Sequence, residues 1–290
     1  MSLCIVYLAS PRDFKIHPRS NLMPRMEVLR VSYVITRRLF PTTDVFIFHE
    51  DYNEEDKKLF PGVKEFIRVD FSGFDSDYNP NFGRKGYLMM CRFFCGSLQQ
   101  TPQLQNYSHY MRLDDDSFFM KPYLTEDIVK QSLLTNQYVY RSIFWEAIPQ
   151  QTLFIFTIHF LKNIRKVNFL KMNEIISALE NEKITIKGKY SGIAPYNNFH
   201  ICPIQLWRLP IVKHYLECIE NERGFLRYGW LDANVHAMIL YVLSKVDSRI
   251  MYILNTSFGY RHNSHIAKIN DYIAISNDEY SFYPTDLEEE

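Results

Sequence analysis

The amino-acid sequence predicts an α/β protein whose central sheet is mostly parallel. Short apolar runs, which are typical of strands buried on both faces, alternate with stretches whose apolar residues recur at helical spacing. In chain order these are a strand from Leu3 to Ala9, a helix from Met26 to Phe40, and strands from Asp44 to His49 and Val63 to Asp70. Elements in this order form a parallel sheet, whose ligands bind beyond the carboxyl ends of the strands.

The remaining elements are predicted from the same two periodicities. A helix near Arg84 to Ser97 precedes a strand from Tyr107 to Leu113. The later chain gives strands at Gln137 to Trp145 and Arg249 to Leu254, and helices between Thr152 and Glu180, from Pro203 to Glu220 and from Asp232 to Ser244. No linker rich in Gly, Ser or Pro divides the sequence, so we predict one domain over residues 1–290, with two unequal halves and a tail at residues 271–290.

Composition excludes several classes of protein. The 33 basic residues balance 33 acidic ones, so no general attraction to nucleic acid is expected, and an aromatic content of 16% indicates a folded core. The glycines lack the spacing of a dinucleotide-binding loop, a P-loop or a nucleophile elbow. The five cysteines form no C-x-x-C pair, which predicts reduced, mostly buried thiols.

The apolar stretches are too short for a membrane span. The longest, Leu153 to Leu161, is about half of the roughly 18 residues that a spanning helix needs. No basic segment precedes the first apolar run, so no secretory signal is predicted. As given, the chain is expected to be cytoplasmic, and to belong to the Golgi or ER lumen only if an N-terminal anchor has been removed.

Three consecutive carboxylates follow the predicted strand that ends at Leu113. Asp114, Asp115 and Asp116 repel one another and therefore need a cation or solvent. Side chains alternate along an extended backbone, so Asp114 and Asp116 are expected on one side, where they could bind Mg²⁺ or Mn²⁺ that carries a diphosphate. A solvated turn is the alternative, but the aspartates are bracketed by apolar residues, which disfavours it.

Two classes of enzyme use a D-x-D at the end of a strand. Phosphoaspartyl hydrolases usually carry Thr or Val two places after the second aspartate, where this chain has Phe118. In GT-A glycosyltransferases the pair holds a metal ion bound to the diphosphate of a nucleotide-sugar, and it follows an internal strand, as here. The position favours the GT-A class. A Mg²⁺-dependent phosphohydrolase and a non-catalytic carbohydrate-binding protein remain alternatives.

Five blocks, in the same order, resemble glycosyltransferase family 15, the fungal-type glycolipid 2-α-mannosyltransferases. They are Gly86 to Phe93 (GYLMMCRF), Tyr110 to Asp114 (YMRLD), Tyr196 to Ile201 (YNNFHI), Trp230 to His236 (WLDANVH) and Gly259 to His262 (GYRH). The resemblance extends over residues 86–262, whereas residues 1–85 match only in layout. It implies a GT-A-type fold and the metal-dependent transfer of mannose from GDP-mannose to a hydroxyl of a glycan acceptor, with retention of configuration.

The resemblance also implies roles for individual residues. Asp114, Asp116 and His262 would bind Mn²⁺ or Mg²⁺; Asp232 and His200 would be catalytic; and Arg12, Tyr87, Arg92, Arg112 and Asp114 would bind the donor. Residues 1–120 would mainly form the nucleotide-sugar half and residues 121–270 the acceptor and catalytic half. No nucleic-acid partner is expected.

Two departures from the family pattern keep a second donor open. Asp114-Asp115 stands where the family has Glu-Pro, which is closer to the D-x-D of enzymes that use a UDP-sugar. His200 stands where the family has a catalytic Glu. Some of the implied residues also have a structural alternative, since Asp232 could cap a helix and Arg92 could pair with a carboxylate.

Overall fold

The fold is the α/β architecture that the sequence predicts, and the computed structural model describes residues 2–11, 24–146, 150–164 and 167–262. The strands are β1 (Leu3–Leu8), β2 (Asp44–His49), β3 (Glu65–Arg68), β4 (His109–Asp114), β5 (Ser117–Met120), β6 (Tyr138–Tyr140), β7 (Ile143–Trp145), β8 (Thr185–Ile186), β9 (Lys189–Tyr190), β10 (Ile193–Pro195), β11 (Phe199–Pro203), β12 (Tyr252–Leu254) and β13 (Gly259–His262). The helices are α1 (Arg25–Leu39), α2 (Glu54–Lys58), α3 (Lys85–Arg92), α4 (Leu98–Gln100), α5 (Glu126–Thr135), α6 (Gln151–Asn163), α7 (Phe169–Asn181), α8 (Ile204–Arg208), α9 (Pro210–Asn221), α10 (Gly224–Tyr228) and α11 (Asp232–Ala237).

The central sheet is mixed and mostly parallel. Its strand order is β12-β6-β11-β4-β1-β2-β3. Strand β1 pairs parallel with β2, with Cys4 opposite Asp44, and β2 pairs parallel with β3. Strand β6 pairs parallel with β12 but antiparallel with β11. The predicted fold class is therefore confirmed.

The described chain divides into two compact units, and each is assembled from separate stretches of sequence. The first unit, called here the β1 unit, contains residues 3–11, 24–70, 111–130 and 256–262. The second, called the α9 unit, contains residue 2 and residues 71–110, 131–146, 150–164 and 167–255. The prediction of one domain with functionally distinct halves stays a prediction.

In the β1 unit, helix α1 is fixed by hydrogen bonds that its buried face makes to two strands. The hydroxyl of Tyr7 on β1 donates to Thr36 Oγ1 at 2.8 Å and lies 3.1 Å from Ser32 Oγ. Ser32 Oγ in turn donates to the carbonyl oxygen of Ser117 on β5 at 2.5 Å. The apolar periodicity correctly predicted this helix, which begins directly after Pro24 and ends before Pro41.

Strand β13 is not among the elements that the periodicity of the sequence predicts. It pairs antiparallel with β5, and His262 lies opposite Ser117. Only glycine fits at its first position, since a Cβ at Gly259 would lie 2.5 Å from the carbonyl oxygen of Lys121. Tyr260 Oη lies 2.6 Å from Ser117 Oγ, which adds a side-chain link to the pairing. His262 is therefore held in a fixed register.

In the α9 unit, several predicted elements are divided by local backbone chemistry. The predicted helix from Pro203 becomes α8 and α9, because Leu209, which precedes Pro210, is extended (φ −58°, ψ 131°). The predicted helix ending at Ser97 is α3 followed by a π turn at Phe93–Ser97, in which Cys95 and Gly96 leave the helical conformation. The predicted strand over 137–145 is divided into β6 and β7.

Two expectations about the chain as a whole can be compared with the fold. No helix in the described ranges has both the length and the apolar character that crossing a membrane requires. All five cysteines are free thiols and four of them are buried, as predicted.

Candidate active site

The three consecutive aspartates lie in the β1 unit, where strand β4 ends and turns into β5. Asp114 is the last residue of β4, and Asp115 and Asp116 form the turn. Both turn residues are 3% exposed. The alternative of a solvated turn is therefore wrong, and these carboxylates need partners inside the protein.

Arg25, the first residue of α1, neutralises the two buried carboxylates. Its Nη1 donates to Asp116 Oδ2 at 2.5 Å and its Nε to Asp115 Oδ2 at 3.3 Å, while its Nη2 contacts Asp115 Oδ1. The backbone amide of Ser10, just after β1, donates to Asp115 Oδ2 at 3.1 Å. Sequence reasoning missed Arg25, because nothing in the local pattern links the start of a helix to a turn 90 residues later.

His262 lies beside Asp114 and beside Asp116, which it shares with Arg25. Its Nε2 lies 2.9 Å from Asp116 Oδ1 and 3.5 Å from Asp114 Oδ2. Asp114 Oδ1 also accepts a hydrogen bond at 2.9 Å from Nε of Arg112, which is 1% exposed. Asp114 and Asp116 thus share a neighbour, as their alternation along the strand predicted, whereas Asp115 turns to Ser10.

The electrostatics of the cluster favour the charged form of His262. Burial lowers the pKa of His262, but the hydrogen bonds and negative charges of Asp114 and Asp116 outweigh it and raise this pKa to about 11. Burial raises the pKa of Asp116, but His262 and Arg25 together lower it to about 2. For Asp115 burial dominates and the pKa is raised. In the metal-free protein His262 is therefore a second cation beside Arg25.

The donor types present are those that a divalent cation takes. Two carboxylates and an imidazole suit Mn²⁺, and Asp116 Oδ1 is buried without an aligned hydrogen bond, even though His262 Nε2 is close to it. Within the described ranges no group of three such side chains is already arranged as a metal centre. A ligating imidazole must be neutral, so a bound cation would take the place of the proton on His262.

Asp232, in the α9 unit, lies at the start of α11 but does not cap it. Leu231 occupies the N-cap position and Asp232 is the first helical residue, so the alternative role as a helix cap is wrong. Its Oδ2 accepts a hydrogen bond from Asn197 Nδ2 at 2.9 Å, and the residue is 4% exposed. A carboxylate in the first turn of a helix is stabilised by the helix dipole.

His200 is a core residue of the α9 unit, and its predicted catalytic role stays a prediction. Its side chain is fully buried. Nδ1 donates to the carbonyl oxygen of Asn197 at 2.9 Å, and Nε2 lies 3.2 Å from the hydroxyl of Tyr110. The ring stacks on Tyr138 with centroids 4.8 Å apart. Both ring nitrogens of His200 are thus engaged by neighbours inside the protein.

The predicted donor-binding residues have different surroundings in the two units. In the α9 unit, Arg92 pairs with Glu220, with Nη2 to Oε1 at 2.8 Å, which is the structural alternative that the sequence left open. Tyr87, on α3, is 47% exposed. In the β1 unit, Arg112 and Asp114 are in contact, and Arg12 lies outside the described residues. Their role in binding the donor stays a prediction.

Comparison with known sequences identifies related proteins. Residues 75–278 match the family model described as glycolipid 2-alpha-mannosyltransferase. The chain is 28% identical over 186 residues to the glycolipid 2-alpha-mannosyltransferase of Saccharomyces cerevisiae. The aligned region covers 62% of this chain and 39% of that protein. It is 24% identical over 161 residues to O-glycoside alpha-1,2-mannosyltransferase homolog 2 of Schizosaccharomyces pombe, which covers 54% of this chain and 41% of that protein. The chain thus spans less than half the length of these curated relatives.

Comparison with solved structures supports the same fold. Core-mannan synthase A from Aspergillus fumigatus, in its Mn/GDP form, superposes with a TM-score of 0.66 at 18% identity, covering 90% of this chain and 74% of that one. The mannosyltransferase Ktr4p of Saccharomyces cerevisiae superposes with a TM-score of 0.69 at 18% identity, covering 90% and 70%. These matches, with the sheet described above, confirm the predicted GT-A-type fold.

Removing the guanidinium of Arg25 is expected to destabilise the protein strongly. Arg25→Met leaves Asp115 and Asp116 buried without their shared cation, which should lower the free energy of unfolding in EDTA by about 3–5 kcal/mol. Urea denaturation measures the change. The control is Arg30→Met on the same helix, which breaks a partly exposed ion pair with Glu27 and should cost less than about 1 kcal/mol. Equal losses in the two variants would contradict the assigned role of Arg25.

Loss of the His262 imidazole is expected to weaken binding of Mn²⁺. His262→Ala should raise the dissociation constant for Mn²⁺ about 10-fold, or about 1.4 kcal/mol, because one ligand is removed. Isothermal titration calorimetry with Mn²⁺ alone gives this constant. The matched control is His214→Ala, which alters an exposed histidine of α9. Unchanged affinity in His262→Ala would remove this residue from the predicted metal site.

Proposed function

The chain belongs to the glycolipid 2-alpha-mannosyltransferase family, to whose model residues 75–278 match, and on this premise we propose that it transfers mannose from GDP-mannose to a hydroxyl group of a glycan. The observation that carries the proposal is the cluster of Asp114, Asp116 and His262 at the carboxyl end of β4. Ligands of parallel α/β sheets bind at that edge. Buried oxygens there suit the cation that a nucleoside diphosphate requires.

The choice of donor and cation is supported by a structural relative. Core-mannan synthase A, which shares the fold, was crystallised with Mn and GDP. We extend both to this chain, so that Mn²⁺ is the cation and GDP-mannose the donor. The D-x-D spacing alone would also suit a UDP-sugar, and the choice between the two nucleotides is therefore part of the test below.

The residues of the cluster have separate tasks in this proposal. Asp114, Asp116 and His262 would hold the cation, which, when bound, supplies positive charge to stabilise the departing GDP. Arg25 fixes the orientation of Asp115 and Asp116 from the start of α1. Arg112 holds Asp114 Oδ1 and leaves Oδ2 directed to His262. Side chains fixed in this way lose little entropy when the donor binds.

Besides the cation-binding residues, we assign a catalytic role to Asp232. The family's catalytic Glu is replaced here by His200, which is buried in the core. Asp232 is therefore the carboxylate that the resembling blocks of the α9 unit still offer. Asn197 Nδ2 engages its Oδ2 and sets the orientation of the carboxylate. A carboxylate there could stabilise positive charge at the anomeric carbon during a retaining reaction, or accept the proton of the acceptor hydroxyl during inversion. Retention is the outcome that the family resemblance implies.

The proposal is tested by a transfer assay. Incubation with GDP-mannose, Mn²⁺ and methyl α-mannoside is expected to release GDP and to yield a disaccharide, identified by mass spectrometry. EDTA and Asp116→Ala should abolish both products because the donor diphosphate loses its cation. Disaccharide formed from a UDP-sugar but not from GDP-mannose would contradict the assigned donor. Release of GMP and mannose 1-phosphate without a disaccharide would instead indicate a phosphohydrolase.

Replacing Asp232 by Asn is expected to lower turnover by about 10² to 10⁴. The amide keeps the size of the side chain but lacks its charge and basicity, so the affinity for GDP should be unchanged. The control is Asp127→Asn, an exposed aspartate of α5, which should retain full turnover. NMR of the wild-type product decides between retention and inversion. Near-normal turnover in Asp232→Asn would show that this carboxylate is structural.

A further inference from the structure

The α9 unit contains a cleft of about 1170 Å³, and none of the residues assigned to catalysis is among those that line it. The π turn Phe93–Ser97 and α4 form one wall, and residues of α8 and α9 form the other. Short π-helical segments often occur at functional sites because they interrupt the regular helix. Gly96 lines the cleft, and a Cβ placed there would meet no atom within 4 Å, so the space beside this residue is open.

One buried acceptor in this wall has no hydrogen-bond partner. Gln99 lines the cleft and is 5% exposed. Its Nε2 donates to the carbonyl oxygen of Phe94 at 3.0 Å and to the hydroxyl of Tyr110 at 3.1 Å, which fixes the orientation of the amide. Its Oε1 is buried and unpaired among the described residues. A buried acceptor without a partner is destabilising, and a donor group from a ligand would remove that cost.

The charged side chains of the lining are of both signs: Arg92, Arg208 and Lys213 are positive, and Glu217 and Glu220 are negative. Arg92 faces Glu220 at 2.8 Å and Lys213 faces Glu217 at 4.0 Å, so these cations already have carboxylate neighbours. A phosphate or another strongly charged ligand would therefore meet charges of both signs. The cleft offers no concentrated field of one sign, and such a field is what recognises a charged ligand.

The other lining groups suit a ligand that both donates and accepts hydrogen bonds. The amides of Gln100, Gln105 and Asn221 each present a donor and an acceptor. Trp207 and Phe225, both nearly buried, contribute apolar surface to the same cleft. Hydroxyl-rich ligands with apolar C–H faces match this combination. The volume exceeds the roughly 300–1,000 Å³ of ordinary small-molecule sites, which leaves room for more than one sugar ring.

We propose that this cleft is a binding site for a neutral oligosaccharide. A sugar hydroxyl donates to Gln99 Oε1, the amides of Gln100 and Gln105 bind further hydroxyls, and the aromatic surface contacts a ring face. The site needs neither a metal ion nor a nucleotide, so it does not depend on the transfer reaction proposed above.

Calorimetry and saturation-transfer NMR with mannotriose, in EDTA and without nucleotide, test the proposal. The wild-type chain is expected to bind mannotriose with a dissociation constant between about 0.1 and 10 mM. The double variant Gln100→Ala/Gln105→Ala, which alters exposed side chains and should fold normally, is expected to weaken binding at least 10-fold. Gln131→Ala, an exposed glutamine of α5 outside the cleft, is the matched control and should bind as the wild type does.

Each other outcome overturns the proposal. Equal binding by the double variant would place the sugar elsewhere, and no binding by the wild type at about 10 mM would remove the site. Loss of mannotriose binding in Asp116→Ala would show that mannotriose binds at the carboxylate cluster and not in the cleft. Binding of inorganic phosphate that the double variant abolishes would make the cleft an anion site. Failure of the transfer assay leaves these measurements unaffected, since none of them requires turnover.

Discussion

Two adjacent carboxylates inside a protein require a cation that is also inside, and Arg25 supplies it. The ion pairs from Arg25 to Asp115 and Asp116 connect the first turn of α1 to the turn between β4 and β5. The same helix binds β1 and β5 through Ser32. Because breaking a buried ion pair is costly, the helix, the turn and the strand that follows it behave as one mechanical element. The carboxylate oxygens of the proposed metal site are part of that element.

Two buried polar atoms without an aligned hydrogen bond lie at the two proposed ligand sites, and this distinguishes them from the hydrogen-bonded polar groups of the core. His200 and Tyr110 are buried and hydrogen-bonded, and such groups rigidify a core. Asp116 Oδ1 and Gln99 Oε1 are equally buried but lack an aligned hydrogen bond. Native proteins contain few such atoms, and each one calls for a physical explanation. A cation at the first and a hydroxyl at the second would supply what the protein itself does not.

The sequence allowed prediction of those features that depend on short stretches of chain. Helix α1 and strand β2 follow from apolar periodicity, and the carboxylates of β4 were recognised because three of them are consecutive. Arg25 could not be found, since its partners lie 90 residues away and are chosen by the packing of α1. The burial of His200 could not be predicted from the sequence either, because the Tyr138 ring that stacks on it comes from a different strand. Pairings between distant segments carry no signal in a single sequence.

Strand β13 joins the β1 unit from a distant part of the chain. Ser117 and Tyr260, which join β5 to β13, are 143 residues apart, whereas Arg25 and Asp116 are 91 apart. During synthesis from the N-terminus, Arg25 and the aspartates are therefore all made long before His262. The charges of Asp115 and Asp116 can be neutralised by Arg25 at that stage, whereas the imidazole of the proposed metal site is added only when β13 pairs with β5. Closure of so long a loop is slow, so competence to bind metal would mark a late step of folding.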